Sequence, residues 1–294
     1  MSRAVNTLLL VLLIQCGLVV AVYWPQPGPG PGASTQVLAP FEGGLIDEVR
    51  LSNNRDDKAV LKKSGGRWLL PALDGLPADP IMVEHLLDNI ANVKAGWPIA
   101  QSAPARQRFQ VADYHHQRRI DLNSEGKLLA TLYLGTSPGF RKVHARNASD
   151  KAIYSIAFNV FDAPASSSAW IDRKLLQIRT PVRITGDTYS VHREEGDWQT
   201  ADGGAPDERE LLALLSALRS LQVDGIANGA QQEKLGASEA GLRLEIESLS
   251  GNITLRLFAV DGEHFIHSSE YPLFFTLSDY DFDRLTGIDF PLSR

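Results

Sequence analysis

The stretch Ala59–Pro71, AVLKKSGGRWLLP, decides the fold when it is set beside Tyr189–Ala201, YSVHREEGDWQTA. Each alternates apolar and polar residues, turns at glycine and then presents a tryptophan, Trp68 in one and Trp198 in the other. Alternation with a period of two marks a strand with one buried face, and glycine marks a tight turn, so each stretch reads as a hairpin. The likeness extends both ways. Val49-Arg50-Leu51 lines up with Val182-Arg183-Ile184, and Ala78–Ala95 lines up with Ala205–Gln222. This last pair has helical spacing behind an acidic start. Val83, Leu86, Leu87 and Ile90 make one apolar face, and Leu211, Leu214, Leu215 and Leu218 make the other.

Period two returns in Arg118–Gly135 and Leu242–Val260, with Gly126 and Gly251 at the turns, and again in Phe140–Ala157 and His264–Leu277. Trp170–Ile178 and Asp279–Ile288 then read as short closing helices. The expected fold class is α+β, an N-terminal transmembrane helix followed by two similar tandem α+β modules with antiparallel sheets. The boundaries fall at residues 1–24 for the anchor, 25–40 for a Pro/Gly spacer, 41–178 for the first module and 179–294 for its repeat.

Ala4–Trp24 carries no charge over about 21 residues, which at ~1.5 Å per residue spans the roughly 30 Å hydrocarbon core. Tyr23 and Trp24 suit the outer interface, and Arg3 precedes the run while the next basic residue is Arg50. The positive-inside rule then predicts a single-pass protein of the bacterial inner membrane, with a cytoplasmic N-terminus and a periplasmic body. The only cysteine, Cys16, lies in this run, so no intrachain disulfide can form. Cys16 and Gly17, with the small and β-branched residues after them, are candidate contacts for a partner's transmembrane helix. The Pro/Gly alternation from Pro25 to Pro40 reaches up to ~50 Å if extended.

An apolar share of 44% and a charged share of 22% are those of a folded chain. The net charge of −6 disfavours nucleic acid as a partner, because phosphates need a positive field. Against that background Arg141, Lys142, His144 and Arg146 form a basic strand. Alternation puts Lys142, His144 and Arg146 on one face, read as exposed and solvated, and makes them candidate partner-facing residues. His115 and His116 beside Asp113 suggest metal ligation. Neighbours on a strand face opposite sides, however, and no ligand motif supplies partners. His264 and His267 read the same way. Trp68 and Trp198, at matching places, read as core residues. No nucleophile elbow, phosphate loop or dinucleotide fingerprint occurs, so no catalytic residue, metal or cofactor is expected and the chain is read as non-enzymatic.

Gly65-Gly66-Arg67-Trp68-Leu69, Pro77-Ala78-Asp79, Leu134-Gly135 and Val143-His144-Ala145-Arg146 before Ala152-Ile153-Tyr154 together resemble domain-of-unknown-function family 4340. The resemblance covers most of the first module and, more loosely, the second. It implies an envelope protein with an N-terminal membrane helix, associated with gliding-motility-type ABC transporters. On that analogy the chain is an extracytoplasmic accessory subunit, with an ABC-2-type permease and its auxiliary subunit as partners. The competing expectation is a periplasmic module binding a glycan, peptide or lipid in a groove between the two modules. An envelope hydrolase would need a nucleophile or metal site that the sequence does not display.

Overall fold

The computed structural model describes residues 36–39, 41 and 43–290, together with Leu12 and Gln15. Apart from Leu12 and Gln15, the anchor with its Cys16 and Gly17, and the spacer before residue 36, lie outside the described residues. Among the described residues no helix is long and apolar enough to cross a membrane.

The first half runs β1 (Gln36–Val37), β2 (Glu48–Ser52), β3 (Lys58–Ser64), β4 (Arg67–Leu70), β5 (Leu76–Pro77), α1 (Pro80–Asn92), β6 (Lys94–Ala95), α2 (Ala103–Arg108), β7 (Val111–Ala112), β8 (His115–His116), β9 (Arg118–Ser124), β10 (Lys127–Leu134), β11 (Lys142–Asn147) and β12 (Tyr154–Ala157). The second runs β13 (Pro181–Thr185), β14 (Ser190–Glu194), β15 (Asp197–Thr200), α3 (Glu208–Ser220), β16 (Gly225–Ile226), α4 (Gly229–Gly236), β17 (Leu242–Ser248), β18 (Gly251–Val260), β19 (Glu263–Ser268), β20 (Phe274–Leu277) and α5 (Asp279–Thr286). Mixed α+β architecture with antiparallel sheets is therefore what the chain adopts. Two eight-stranded sheets carry it, ordered β12-β11-β10-β9-β2-β3-β4-β5 and β15-β14-β13-β17-β18-β19-β20-β16.

Read from opposite ends, the two orders share seven corresponding strands. Trp68 opposes Lys63 and Trp198 opposes Arg193. Counting across the ladders from those pairs sets Val49 in the place of Ile184, and Ala145 and Tyr154 in the places of Ile266 and Phe275. The sequence alignment had matched Ile184 to Leu51, two residues away. A strand slipped by two keeps its buried face, so hydrophobic pattern alone does not distinguish these registers. Tight turns help to fix register here. Gly65-Gly66, Glu125-Gly126, Glu195-Gly196 and Asp261-Gly262 are two-residue hairpin loops in which both residues have positive φ.

Each main helix forms where the periodicity put it. Asp79 caps α1 by accepting from the Ile81 and Met82 amides, and Asp207 caps α3 by accepting from Glu210. Val83, Leu86, Leu87 and Ile90 are the buried residues of α1. In α3 they are Leu211, Leu214, Ala217 and Leu218, so Ala217 takes the buried place expected for Leu215. Trp68 is buried, while Trp198 is only partly so. One core continues from Leu38 to Phe290 through both halves. The halves are stitched where Ile178 donates to Leu218 O (3.0 Å) and Val223 donates to Arg173 O (2.9 Å).

Two further expectations change. Trp170–Ile178 is not a closing helix: Ser167–Trp170 is a 3-10 turn and the residues after it form turns. Its backbone is engaged elsewhere, with Trp170 O accepting from Asp79 and Asp172 donating to Pro77 O. Trp170 is fully buried, its indole donating to Pro164 O at 2.9 Å. The chain also joins the folded body before the spacer's expected end at residue 40, because β1 pairs with β6 and both Leu38 and Ala39 are buried.

Candidate functional site

Strand alternation on β11 holds, and Lys142, His144 and Arg146 share a face, but that face is not open. His144 and Arg146 are 8% and 5% exposed, and only Lys142 reaches solvent. The cover is the segment from Ala100 through α2 and β7, whose Ala105, Phe109 and Val111 pack with Tyr133 and Ile153. The opposite face of the same strands, with Leu132, Leu134, Val143 and Ala145, belongs to the main core. Thr131–Leu134 of β10 and Val143–Arg146 of β11 are therefore buried on both sides.

A charge in such a layer needs partners. Arg146 Nε donates to Val111 O (2.8 Å), and Nη1 to Asp150 O (3.2 Å) and Asn147 O (3.4 Å). Its guanidinium lies over the Tyr133 ring at 4.7 Å, and burial draws its pKa below the ordinary arginine value. His144 meets the Thr136 hydroxyl through Nδ1 (2.8 Å) and packs its ring, tilted by 43°, against Phe109 at 4.3 Å. Burial lowers its pKa, with the nearby Arg108 charge acting in the same direction. These two side chains hold α2 and β7 onto the sheet.

The exposed chemistry begins one residue earlier. Where β11 starts and β12 ends, a cleft of about 600 Å³ is lined by Phe140, Arg141, Lys142, Phe158 and Phe161. Phe140 and Phe161 are 88% and 81% exposed. Their loops are held by local bonds. Ser137 Oγ lies 2.7 Å from both Gly139 O and Lys142 O, so its single proton is shared between the two carbonyls. Asn159 Oδ1 accepts from Phe161 N (3.2 Å), and its amide donates to Asp162 (3.3 Å). Arg141 has φ of 50°, and its guanidinium sits 5.2 Å from the Phe140 ring. A non-glycine residue in that region costs on the order of 1 kcal/mol, which the surrounding bonds must hold in place. Among the described residues Arg141 and Lys142 are the only charged ones lining the cleft. The site is thus apolar, cationic and concave. Lys142 was legible in the basic strand; the two phenylalanines were not, since sequence does not separate an exposed ring from a core one.

Of the other histidines singled out in the sequence, three make structural contacts. His116 is buried, with Nδ1 3.2 Å from Ala112 O and its ring 5.3 Å from Tyr133, while His115 is half-buried. His264 contacts Asp279 (2.9 Å) and stacks on Phe282 at 3.9 Å, and His267 meets Arg256 (3.3 Å) and Phe274 (4.7 Å). Among the described residues no three His, Cys, Asp or Glu side chains are grouped to hold a metal ion. A second cleft of about 580 Å³ is lined by Tyr189, Thr200, Asp207 and Phe290. Burial, reinforced by Asp187, pushes the Tyr189 hydroxyl up to about 12.

Neither a search of curated proteins nor one of solved structures finds a match for the chain. A family match does exist and covers residues 68–240, more than half of the chain. It starts at the Trp68 strand, takes in α1, the buried Arg146 layer and the whole Phe140–Phe161 cleft, and extends into the second sheet through α4. The chain belongs to the family described as Domain of unknown function (DUF4340).

Proposed function

We propose that the protein is a non-enzymatic, membrane-anchored accessory subunit that works by binding a partner protein through the Phe140–Phe161 cleft. The partner in this reading is an ABC-2-type permease with its auxiliary subunit, met on the periplasmic side of the inner membrane. The observation that carries the binding role is the pair of rings, 88% and 81% exposed, beside Arg141 and Lys142. Burying a phenylalanine side chain is worth ~1.5–3 kcal/mol, so two rings left in water are a reserve of binding energy. The transporter itself is supported by the family resemblance, together with the uncharged Ala4–Trp24 run and its spacer.

Affinity purification of the full-length chain from membranes in mild detergent tests this reading. Recovery of permease and auxiliary subunit with the wild-type chain, and their loss with Phe161→Ser, is the expected result. Purification of the chain without either subunit would sink it.

A further inference from the structure

The second half opens a place that the first half fills. Trp198 corresponds to Trp68, and Leu215 to Leu87, since each leucine lies eight residues beyond its helix's capping aspartate. Trp68 and Leu87 are both 6% exposed, whereas Trp198 and Leu215 are only partly buried. In the first sheet β5 follows β4, while β15 ends the order of the second. Trp198 and Leu215 line a slot of about 120 Å³, together with Leu249.

Among the described residues Arg179, Arg193 and Arg219 are the only charged ones lining this slot. From Arg179 to Phe290 the chain holds 20 acidic residues and nine basic ones, so three of those nine meet here and none of the acids does. The backbone sets them in place. Ile178 donates to Leu218 O (3.0 Å), which puts Arg179 beside the end of α3, where Arg219 stands. Leu249 donates to Thr180 O (3.3 Å), which draws it to the same end of the sheet. Arg193 opposes Trp198 across the β14–β15 ladder and donates through Nε to Gly196 O (2.9 Å). Arg179 and Arg219 have no hydrogen bond or ion pair among the described residues. Like charges gathered without a counter-charge repel one another, so an anion seated among them is favoured. A guanidinium fork matches a carboxylate through paired donors.

We propose that this slot binds a small organic acid, its carboxylate taken by Arg179, Arg193 and Arg219 and its apolar body by Trp198, Leu215 and Leu249. The size of the ligand follows from the volume. A cavity of about 150 Å³ holds one benzene ring. The slot, at about 120 Å³, has room for a single phenyl- or isobutyl-sized group and none for a lipid acyl chain. It shares no lining residue with the Phe140–Phe161 cleft and does not depend on how that cleft is read.

The full-length chain in mild detergent is titrated calorimetrically with phenylacetate and isocaproate, and with phenylacetamide and inorganic phosphate alongside. Each acid is expected to bind at least tenfold more tightly than the amide, which lacks the charge, and than phosphate, which lacks the apolar body. Changing both Arg179→Gln and Arg219→Gln is expected to cost tenfold or more in affinity with an unchanged Tm, because both residues are exposed. Lys127→Gln, at an exposed cation of the first sheet, is expected to change nothing. Should the double variant not fold, Leu249→Asp, at a residue 80% exposed, takes its place with the same expectation. Absence of binding by both acids overturns the proposal. Equal binding of the amide or of phosphate overturns it too, as does undiminished binding by the folded variant. A hexapeptide ending in phenylalanine with a free carboxylate completes the set: tighter binding of it than of phenylacetate would assign the slot to a chain end and overturn the small-acid assignment.

Discussion

A Cβ on Gly135 would lie 2.0 Å from the carbonyl oxygen of Phe109 and 2.5 Å from that of Gln110. The backbone after α2 presses onto the end of β10 at this point, and Thr136 N–H fastens it by donating to Phe109 O at 2.9 Å. The Leu134-Gly135 pair that helped reveal the family therefore has a steric reason. It is where the covering segment seals the His144–Arg146 face, at the margin of the cleft that Gly135 itself helps to line.

Gly135→Ala is accordingly expected to destabilise the protein by more than about 2 kcal/mol, since backbone on both sides must move. Thermal unfolding of the purified chain checks this. A loss comparable to an exposed-site substitution would show that the segment seats loosely.

Arg146→Met replaces a buried, hydrogen-bonded charge with an apolar side chain and leaves Val111 O and Asp150 O without their donor. The expected loss is ~2–4 kcal/mol, because breaking such a set strands buried acceptors. Arg146→Lys should recover little of it, for an ammonium cannot serve three carbonyls at the angles of the guanidinium fork while covering Tyr133. Denaturant midpoints of the two variants make the comparison, and full rescue by lysine would contradict the planar-fork account.

This layer also marks how far the sequence could be read. Helices α1 and α3 announce their buried faces by spacing, and the hairpins announce their turns by glycine. The cover over His144 and Arg146 does not announce itself. It consists of the short helix Ala103–Arg108 and two-residue strands Val111–Ala112 and His115–His116, too short to display any period. β11 therefore read as one-sided, with a wet basic face. Its counterpart in the second half is covered by α4, also unpredicted, over the phenylalanines Phe258, Phe265 and Phe274. There the apolar residues on both faces disclose double burial. Phe140 and Phe161 stayed hidden for the converse reason: each aromatic was compatible with a core position until the loops around it were placed.

Burial lowers the pKa of His116, His144 and His267 from the model-peptide value of 6.5. In the unfolded chain these rings take up protons near pH 6.5, whereas in the folded chain they resist protonation to lower pH. The unfolded state then binds more protons, so stability falls as pH drops below about 6.5 and is insensitive to these groups above it. Chemical unfolding between pH 5 and 8 checks the slope. His144→Gln, which keeps an acceptor for Thr136, is expected to flatten it in part, and an unchanged slope would remove His144 from the account.

Asp79 accepts from both Ile81 and Met82 at the start of α1 (2.9 and 3.2 Å). Asp79→Ala should cost about 1 kcal/mol, read as a shift in unfolding midpoint at constant slope. Asp79→Asn should cost much less, since the amide oxygen still caps; equal losses would assign the effect to charge alone.

The most direct test of the cleft as the partner contact is photocrosslinking in living cells from p-benzoylphenylalanine placed at position 161 of the full-length chain, with the same group at position 249 as the control. Leu249 is 80% exposed, on the second sheet and remote in sequence from the cleft. The expected result is a crosslink from position 161 to the permease or its auxiliary subunit, lost when Arg141 and Lys142 are both changed to glutamate, and none from position 249. A crosslink to those subunits from position 249 but not from position 161 would contradict it.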